Sequence, residues 1–553
     1  MTDQRQPTQW AKGEALLKIR GLRIEGWTRA SGWTAIVKGI DLDLARGEVL
    51  GLVGESGAGK SMTGLAAMGY ARDGCRISGG AISFDGIDLM ASTEAIRRAL
   101  RGLRIAYVAQ SAIASFNPAH RLIEQYAEAP VGRRLRTRTE AYADAIDLFG
   151  RMRLPKADTI GFRYPHQVSG GELQRAMTAM AMATRPDLII FDEPTTALDV
   201  TTQIEVLSAI KNIIKQFNTA AIFISHDLAV VAQMVDRVMV LREGQLIEHA
   251  DTKAILSAPQ AEYTKSLWAV RDRHKPEVRA DAGERPLLSA NNLTAGYIRG
   301  ELVLRDVSIE IMKGRTVAVV GESGSGKSTA ARVITGLLPP FGGEITFNGS
   351  VLPPQLKQRS REQRRRIQML YQSAETALNP RQLIRQILGR PLKLHLGLVG
   401  REANSRVVEL LDMVELLPSI ADRYPSELSG GQKRRVGIAM ALAAEPDLII
   451  CDEITSGLDQ LVAERILKLL LSRQQQYGFS YLFITHDLGT VDAIADEVVV
   501  MFQGRIVEHG SKSKIMTTPV HKYTKLLLSS VPRMDPGWLD GVLKDRLAIS
   551  SDA

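Results

Sequence analysis

A chain of 553 residues is longer than one hydrophobic core can serve, so at least two domains are expected. Hydrophobic residues at 45% and charged residues at 24% describe an ordinary globular composition; the two cysteines, Cys75 and Cys451, stand far apart in no metal-ligand spacing, which leaves a disulfide framework, a zinc site and a protein-ligated iron–sulfur cluster unsupported. The net charge of +9, from 70 basic and 61 acidic side chains, is mild for this length and selects neither nucleotide, acidic membrane nor nucleic acid as partner. Met1 to Gly13 is polar and no run of about 18 apolar residues occurs, so neither a secretory leader nor a membrane span is expected, and a reducing cytoplasm is the natural home.

Taken in order, Leu17, Ile19, Leu22 and Ile24 alternate with polar residues, as do Ile40, Leu42 and Leu44; this predicts an antiparallel strand set. The apolar run Val49 to Val53 then leads into Gly54-Glu55-Ser56-Gly57-Ala58-Gly59-Lys60-Ser61, followed by a helix-capable run from Met62 to Met68. That is a phosphate loop in its required context. Its glycines let backbone N–H groups converge on one concavity, the helix start adds a positive end, Lys60 supplies a point charge, and Ser61 an oxygen for Mg²⁺. Gly79 to Gly86 reads as a hairpin, Ile105 to Gln110 as a strand, and residues 111–168 as a helical insert. A helix from Ser169-Gly170-Gly171 to Arg185 follows, then a strand from Leu188 to Asp192 and Glu193, another helix, and a strand from Ala220 to His226 and Asp227. Strands alternating with helices predict an α/β fold with a parallel core and the phosphate loop at a strand end.

The second half repeats this order. The loop returns as Gly321-Glu322-Ser323-Gly324-Ser325-Gly326-Lys327-Ser328; Ser169, Glu193 and His226 return 260 residues later as Ser429, Glu453 and His486, and Gln110 returns 262 later as Gln372. Two copies of one domain are expected, at 1–270 and 287–532, with a charged, Pro-containing linker at 271–286 and a C-terminal tail at 533–553. A flexible linker of that length spans roughly 22 Å, which keeps the copies at an effective concentration on the order of millimolar.

The carboxylate pairs Asp192/Glu193 and Asp452/Glu453 close apolar strands. In that place the Asp can bear on Mg²⁺ through water while the Glu polarises the attacking water, a contribution of about 10²–10⁴ in rate. His226 and His486 can hydrogen-bond a γ-phosphate and so sense it, and the Gln110 and Gln372 amides can reach Mg²⁺ or the water. Ser169-Gly170-Gly171 and Ser429-Gly430-Gly431 read equally as helix caps and as second anion-binding helix starts.

Loop, Gln, Ser-Gly-Gly, Asp-Glu, Leu-Asp and His, twice and in order, resemble the ATP-binding cassette (ABC) ATPases over nearly the whole chain. The resemblance implies two tandem ABC ATPase domains, each a RecA-like parallel-sheet P-loop core with an antiparallel β subdomain and an α-helical insert, using ATP and Mg²⁺. It implies Walker A loops at Gly54–Ser61 and Gly321–Ser328 with Thr329 beside the second, and Q-loop residues Gln110 and Gln372. It also implies signatures from Ser169 and Ser429, D-loops ending in Asp199 and Asp459, and switch histidines His226 and His486. Of the aromatics that stack on adenine, Tyr297 fits the second copy and Trp27 is the candidate in the first. The pair is expected to work head to tail within the chain, the nucleotide of Lys60 meeting Ser429–Gly431 and that of Lys327 meeting Ser169–Gly171. The helical inserts would hold the groove for a permease. Departures are Met62 for the usual Thr, Ile454 for the usual Pro, and Gln432-Lys433-Arg434-Arg435 in the second signature; none removes a phosphate or magnesium ligand.

A narrower resemblance is to the ATPase subunits of peptide and nickel importers. The segments Gln110-Ser111 to Asn117-Pro118 and Gln372-Ser373 to Asn379-Pro380 carry it, as do the tails Pro259 to Leu267 and Pro519 to Leu527. It implies two transmembrane permease subunits and an extracytoplasmic solute-binding protein as partners, no direct nucleic acid, and a peripheral place on the cytoplasmic face of the inner membrane. Peptide is the first solute; nickel, another metal chelate or an opine-like solute stay open. Twin-cassette ATPases acting on ribosomes are the rival class, disfavoured by the short linker and the import-type tails.

Overall fold

The structure, a computed structural model, describes residues 15–28, 32–196, 198–269, 275–276, 284–298, 300–371 and 377–551; beyond residue 544 only the backbone of the last helix is described. It divides into two compact units, Met1–Ala269 with Pro532–Ala553, and Val270–Val531.

In the first unit the central strands are the short apolar runs. β1 (Ala15–Thr28), β2 (Gly32–Ala45), β3 (Val49–Val53), β4 (Cys75–Phe84) and β5 (Ile87–Asp88) come first, followed by β6 (Ile105–Val108), β7 (Leu188–Asp192), β8 (Ala220–Ile224), β9 (Arg237–Arg242) and β10 (Gln245–Asp251). Every residue of β3, β7 and β8 is buried, as parallel strands covered on both faces require. They lie in a six-stranded sheet of order β10-β9-β3-β8-β7-β6, in which Leu50 faces Ile222 and Leu52 faces Met239. The alternating segments form the second sheet, β2-β1-β4-β5, antiparallel, with Ile19, Leu22 and Ile24 turned into the core. Between β6 and β7 the insert contains the helices Leu122–Gly132 and Arg138–Arg151, the latter started by a capping box of Thr137 and Glu140. The helix expected to reach Arg185 ends at Ala181, with Met182 as its cap. Pro186 follows Arg185 and disfavours helical backbone there; Arg185 takes a left-handed φ of 54° instead.

The second unit repeats the plan. Its strands are β11 (Leu288–Ala295), β12 (Leu304–Ile311), β13 (Thr316–Val320), β14 (Gly342–Phe347), β15 (Ser350–Val351), β16 (Ile367–Leu370), β17 (Leu448–Asp452), β18 (Ser480–Ile484), β19 (Glu497–Phe502) and β20 (Arg505–Ser511). They form an antiparallel sheet β12-β11-β14-β15 and a six-stranded sheet β16-β17-β18-β13-β19-β20. Its insert holds the helices Ile384–Pro391 and Gly400–Met413.

Each unit carries a short C-terminal helix, Glu262–Ala269 and Lys522–Ser529, tied to the preceding strand by a carboxylate. Glu248 accepts from the Gln260 and Ala261 amides at 2.8 and 3.0 Å, and Glu508 from those of Val520 and His521 at 2.7 and 3.1 Å. Of the expected linker, only Lys275, Pro276 and 284–286 are among the described residues; Lys275 Nζ pairs with buried Asp496 at 2.6 Å within the second unit. The last stretch of chain belongs to the first unit. The buried Gln233 amide donates to the carbonyls of Arg533 and Asp535 at 2.8 and 2.6 Å and accepts from the Leu539 amide at 3.0 Å. Trp538, Leu539 and Val542 are buried there, and Lys211 meets Asp540 at 3.2 Å.

Candidate nucleotide sites

Each site starts where a buried parallel strand stops. After β3, Gly54 takes φ 146°, and a Cβ at that position would run into the Leu241 carbonyl; Gly321 stands in the same relation to Met501. Gly59 and Gly326, at φ 91° and 104°, deliver the chain into the helices Lys60–Ala66 and Lys327–Ile334. The buried Lys60 ammonium folds back into the loop, donating to the carbonyls of Gly54 and Glu55 at 2.7 and 2.8 Å; Lys327 does the same to Gly321 and Glu322, both at 2.7 Å. It therefore lies within the concavity that a phosphate would share. Ser56, Gly57, Ser323 and Gly324 are exposed at the loop tips, while Ala58 and Ser325 are buried beneath them. One pair of contacts went unforeseen: the Glu55 amide donates to Tyr263 Oη at 3.2 Å, and the Glu322 amide to Tyr523 Oη at 2.8 Å. Burial pushes the Tyr263 phenol up to about 12, so it stays protonated there. The signal was available in the repeated Tyr-Thr-Lys of the two tails.

The aspartates meet the loop serines. Ser61 Oγ donates to Asp192 Oδ1 at 2.8 Å, and Ser328 Oγ to Asp452 Oδ1 at 2.9 Å. Both aspartates are buried at the ends of β7 and β17. Burial, assisted by the neighbouring Glu453, pushes the Asp452 carboxyl up against the pull of the Ser328 hydrogen bond. A hydroxyl and a carboxylate side by side are hard oxygen donors, few enough to leave places for phosphate and water, which suits Mg²⁺.

The glutamates leave the strand sharply. Glu193 and Glu453 both adopt φ 50°, a left-handed backbone that non-glycine residues take at a cost, and both amides donate across to β8 and β18, to Ile224 at 2.9 Å and Ile484 at 3.0 Å. The turn aims each carboxylate at a histidine: Glu193 Oε1 lies 3.1 Å from His226 Nδ1, and Glu453 Oε1 lies 3.4 Å from His486 Nδ1. Burial works against charge on all four groups, but the pairing overcomes it, holding both glutamates below the usual carboxylate range and both histidines above theirs. In the first site Glu193 Oε2 accepts further from Gln110 Nε2 at 2.8 Å and Thr196 Oγ1 at 3.0 Å. Gln372 lies outside the described residues.

Ser169 and Ser429 are helix N-caps. Ser169 Oγ accepts from the Glu172 amide at 3.3 Å and Ser429 Oγ from the Gln432 amide at 3.2 Å, with the third-position side chains returning the bond. A hydroxyl that accepts still has a proton to donate, so capping and anion binding are compatible. Ser169, Gly170, Ser429 and Gly430 are exposed; Gly171 is buried against Thr202, and Gly431 is half-buried. Tyr297 presents an exposed ring whose hydroxyl lies 3.3 Å from Thr329 Oγ1 and accepts from Arg332 at 2.8 Å. Trp27 is also exposed, opposite Trp33 in the hairpin of β1 and β2.

Two phosphate loops on matching, mainly parallel sheets, each with a Ser–Asp and a Glu–His pair, define a twin-cassette nucleotide-hydrolysing protein. The sequence model of the ABC transporter family matches residues 37–196 and 304–456, and that of the oligopeptide/dipeptide transporter C-terminal region matches 507–550. The chain belongs to the ABC transporter family, as an ATP-binding ATPase subunit of the importer type. The glutathione import ATP-binding protein GsiA of Escherichia coli strain K12 is 39% identical over 547 residues, covering 91% of this chain and 87% of that protein. The protein of the same name from Shigella flexneri is 38% identical over the same shares. Among solved structures, cbiO1 from Clostridium perfringens is 29% identical, over 42% of this chain and 92% of its own, with a TM-score of 0.40. Among the described residues, no helix is long and apolar enough to cross a membrane.

Proposed function

We propose that this chain energises uptake of a peptide-type solute from the cytoplasmic face of the inner membrane, using both of its phosphate loops. The observation that carries the reading is the half-buried Glu–His pair beside a Ser–Asp pair, built the same way in both units. In it Lys60 and Lys327 hold the outer phosphates, Ser61, Asp192, Ser328 and Asp452 hold Mg²⁺ directly or through water, and Gln110 and Gln372 reach the same ion. Glu193 and Glu453 polarise the attacking water, while His226 and His486 orient those carboxylates and register the γ-phosphate. Tyr297 and Thr329 contact the nucleotide of the second unit. The head-to-tail pairing belongs to the same proposal, with the Ser169 and Ser429 signatures each completing the nucleotide held by the other copy; so do the domain limits 1–270 and 287–532.

Two permeases and an extracytoplasmic solute-binding protein are the proposed partners. A hollow of about 360 Å³ in the first helical insert, lined by Asn117, His120, Glu124, Gln125, Glu128 and Arg138 among others, supports a docking place for a permease segment. The C-terminal match to oligopeptide/dipeptide transporters and the GsiA relatives favour a short peptide such as glutathione over a metal chelate. The test is reconstitution of the chain with candidate permeases in proteoliposomes. Solute-loaded binding protein is expected to stimulate ATP hydrolysis and accumulate labelled peptide; stimulation by nickel chelate alone, or co-sedimentation with ribosomes in place of permeases, would contradict the reading.

A further inference from the structure

The two aspartates are not held alike. Asp192 engages both carboxylate oxygens, Oδ1 with Ser61 at 2.8 Å and Oδ2 with the Tyr107 hydroxyl at 2.5 Å. Tyr107 comes from β6, where it faces Ile190, two residues before Asp192. In the second unit the matching residue of β16 is Met369, which faces Ile450, two residues before Asp452. A thioether has no proton to donate. Among the described residues only Ser328 donates to Asp452. In the second unit Arg332 stands near the aspartate, where the aligned position of the first is Leu65; in the first, Arg72 stands beside the Tyr107 hydroxyl.

We propose that Tyr107 is a positioning residue that fixes the Asp192 carboxylate for the divalent cation, so that the first nucleotide site holds the metal more tightly than the second, where Met369 supplies no second hydrogen bond to Asp452. A carboxylate pinned through Oδ2 keeps Oδ1 aimed at Ser61, so less rotational freedom remains to be lost when the cation and its waters arrive. A carboxylate pinned on one side only must be ordered at that moment. One such hydrogen bond corresponds to about a threefold to tenfold change in affinity. The inference rests on the proposed roles of Asp192 and Ser61.

The experiment uses the full chain carrying Lys327→Ala, to remove nucleotide from the second site, with a non-hydrolysable ATP analogue and Mn²⁺ titrated by electron paramagnetic resonance. Tyr107→Phe, which keeps the ring and deletes the hydroxyl, is expected to weaken Mn²⁺ about threefold to tenfold while leaving cation-free nucleotide affinity unchanged. In the reciprocal Lys60→Ala chain, Met369→Tyr is expected to tighten Mn²⁺ at the second site by a similar factor. Unchanged Mn²⁺ affinity in both variants, or a parallel loss of cation-free nucleotide binding in Tyr107→Phe, overturns the inference while leaving the site assignment standing. Failure of the Lys327→Ala chain to take up Mn²⁺ with nucleotide at all would overturn the assignment, and the inference with it.

Discussion

At the scale of the residue, the Glu–His pairs decide what the sites can do. A half-buried glutamate paired with a histidine is held in one orientation, and removing the histidine leaves that carboxylate without its principal partner. His226→Ala, measured by phosphate release with the second site silenced by Glu453→Gln, is expected to lower turnover about 10²-fold or more. Thr196→Ala removes one hydrogen bond of several and is expected to cost only about tenfold. The residue types and their spacing made these positions legible in the sequence: Lys-Ser after a glycine loop, Asp-Glu after an apolar run, His-Asp after another. The backbone that aims them was not legible. Nothing in the letters at Glu193 announces φ 50°, because the left-handed turn is imposed by the amide's bond to the neighbouring strand and not by a glycine. Tyr107 was missed for a related reason: a tyrosine in a strand reads as a packing residue until the register sets it beside Asp192.

At the scale of the element, the short C-terminal helices depend on contacts made a dozen residues back in sequence. Glu248 caps Glu262–Ala269 much as an N-cap side chain would, and Glu508 caps its counterpart. Burial acts to raise both carboxyls, but the backbone amides they accept from act against it, and both stay below the usual range. The sign follows from that lowering: the contribution is complete above the ordinary carboxylate range and is lost as pH falls through the lowered value. Glu248→Ala is expected to destabilise the first unit by ~1 kcal/mol near neutral pH, with the difference from the unmodified chain shrinking in acid; chemical denaturation at two pH values measures it. Alternation and apolar runs were enough to place β1 to β3, β6 to β8 and the helical inserts, while β9 and β10 were not read. The exits of helices were harder, since proline at 186 stops a helix whose composition would have carried it further.

At the scale of the whole molecule, the chain passes between the two units twice, once near residue 270 and again near residue 532. The second passage was not legible in the sequence, where residues 533–553 read only as a tail. Its polar anchor is the buried Gln233, which takes three backbone partners from that segment. Truncation after Val531 exposes the surface covered by Trp538, Leu539 and Val542 and is expected to destabilise the first unit on the order of 3 kcal/mol, seen as a lower first transition in calorimetry with the second transition unmoved. The 260-residue repeat predicts equal architecture, and the two sheets bear that out strand for strand.

The proposed activity is hydrolysis of ATP at both phosphate loops through Glu193 and Glu453. It is tested most directly by phosphate release from the purified full chain and its Glu193→Gln, Glu453→Gln and double variants, with bound nucleotide identified after each reaction. Each single variant is expected to lose turnover at its own site, and the double variant to fall to background while retaining unhydrolysed ATP; wild-type turnover in the double variant would contradict the claim.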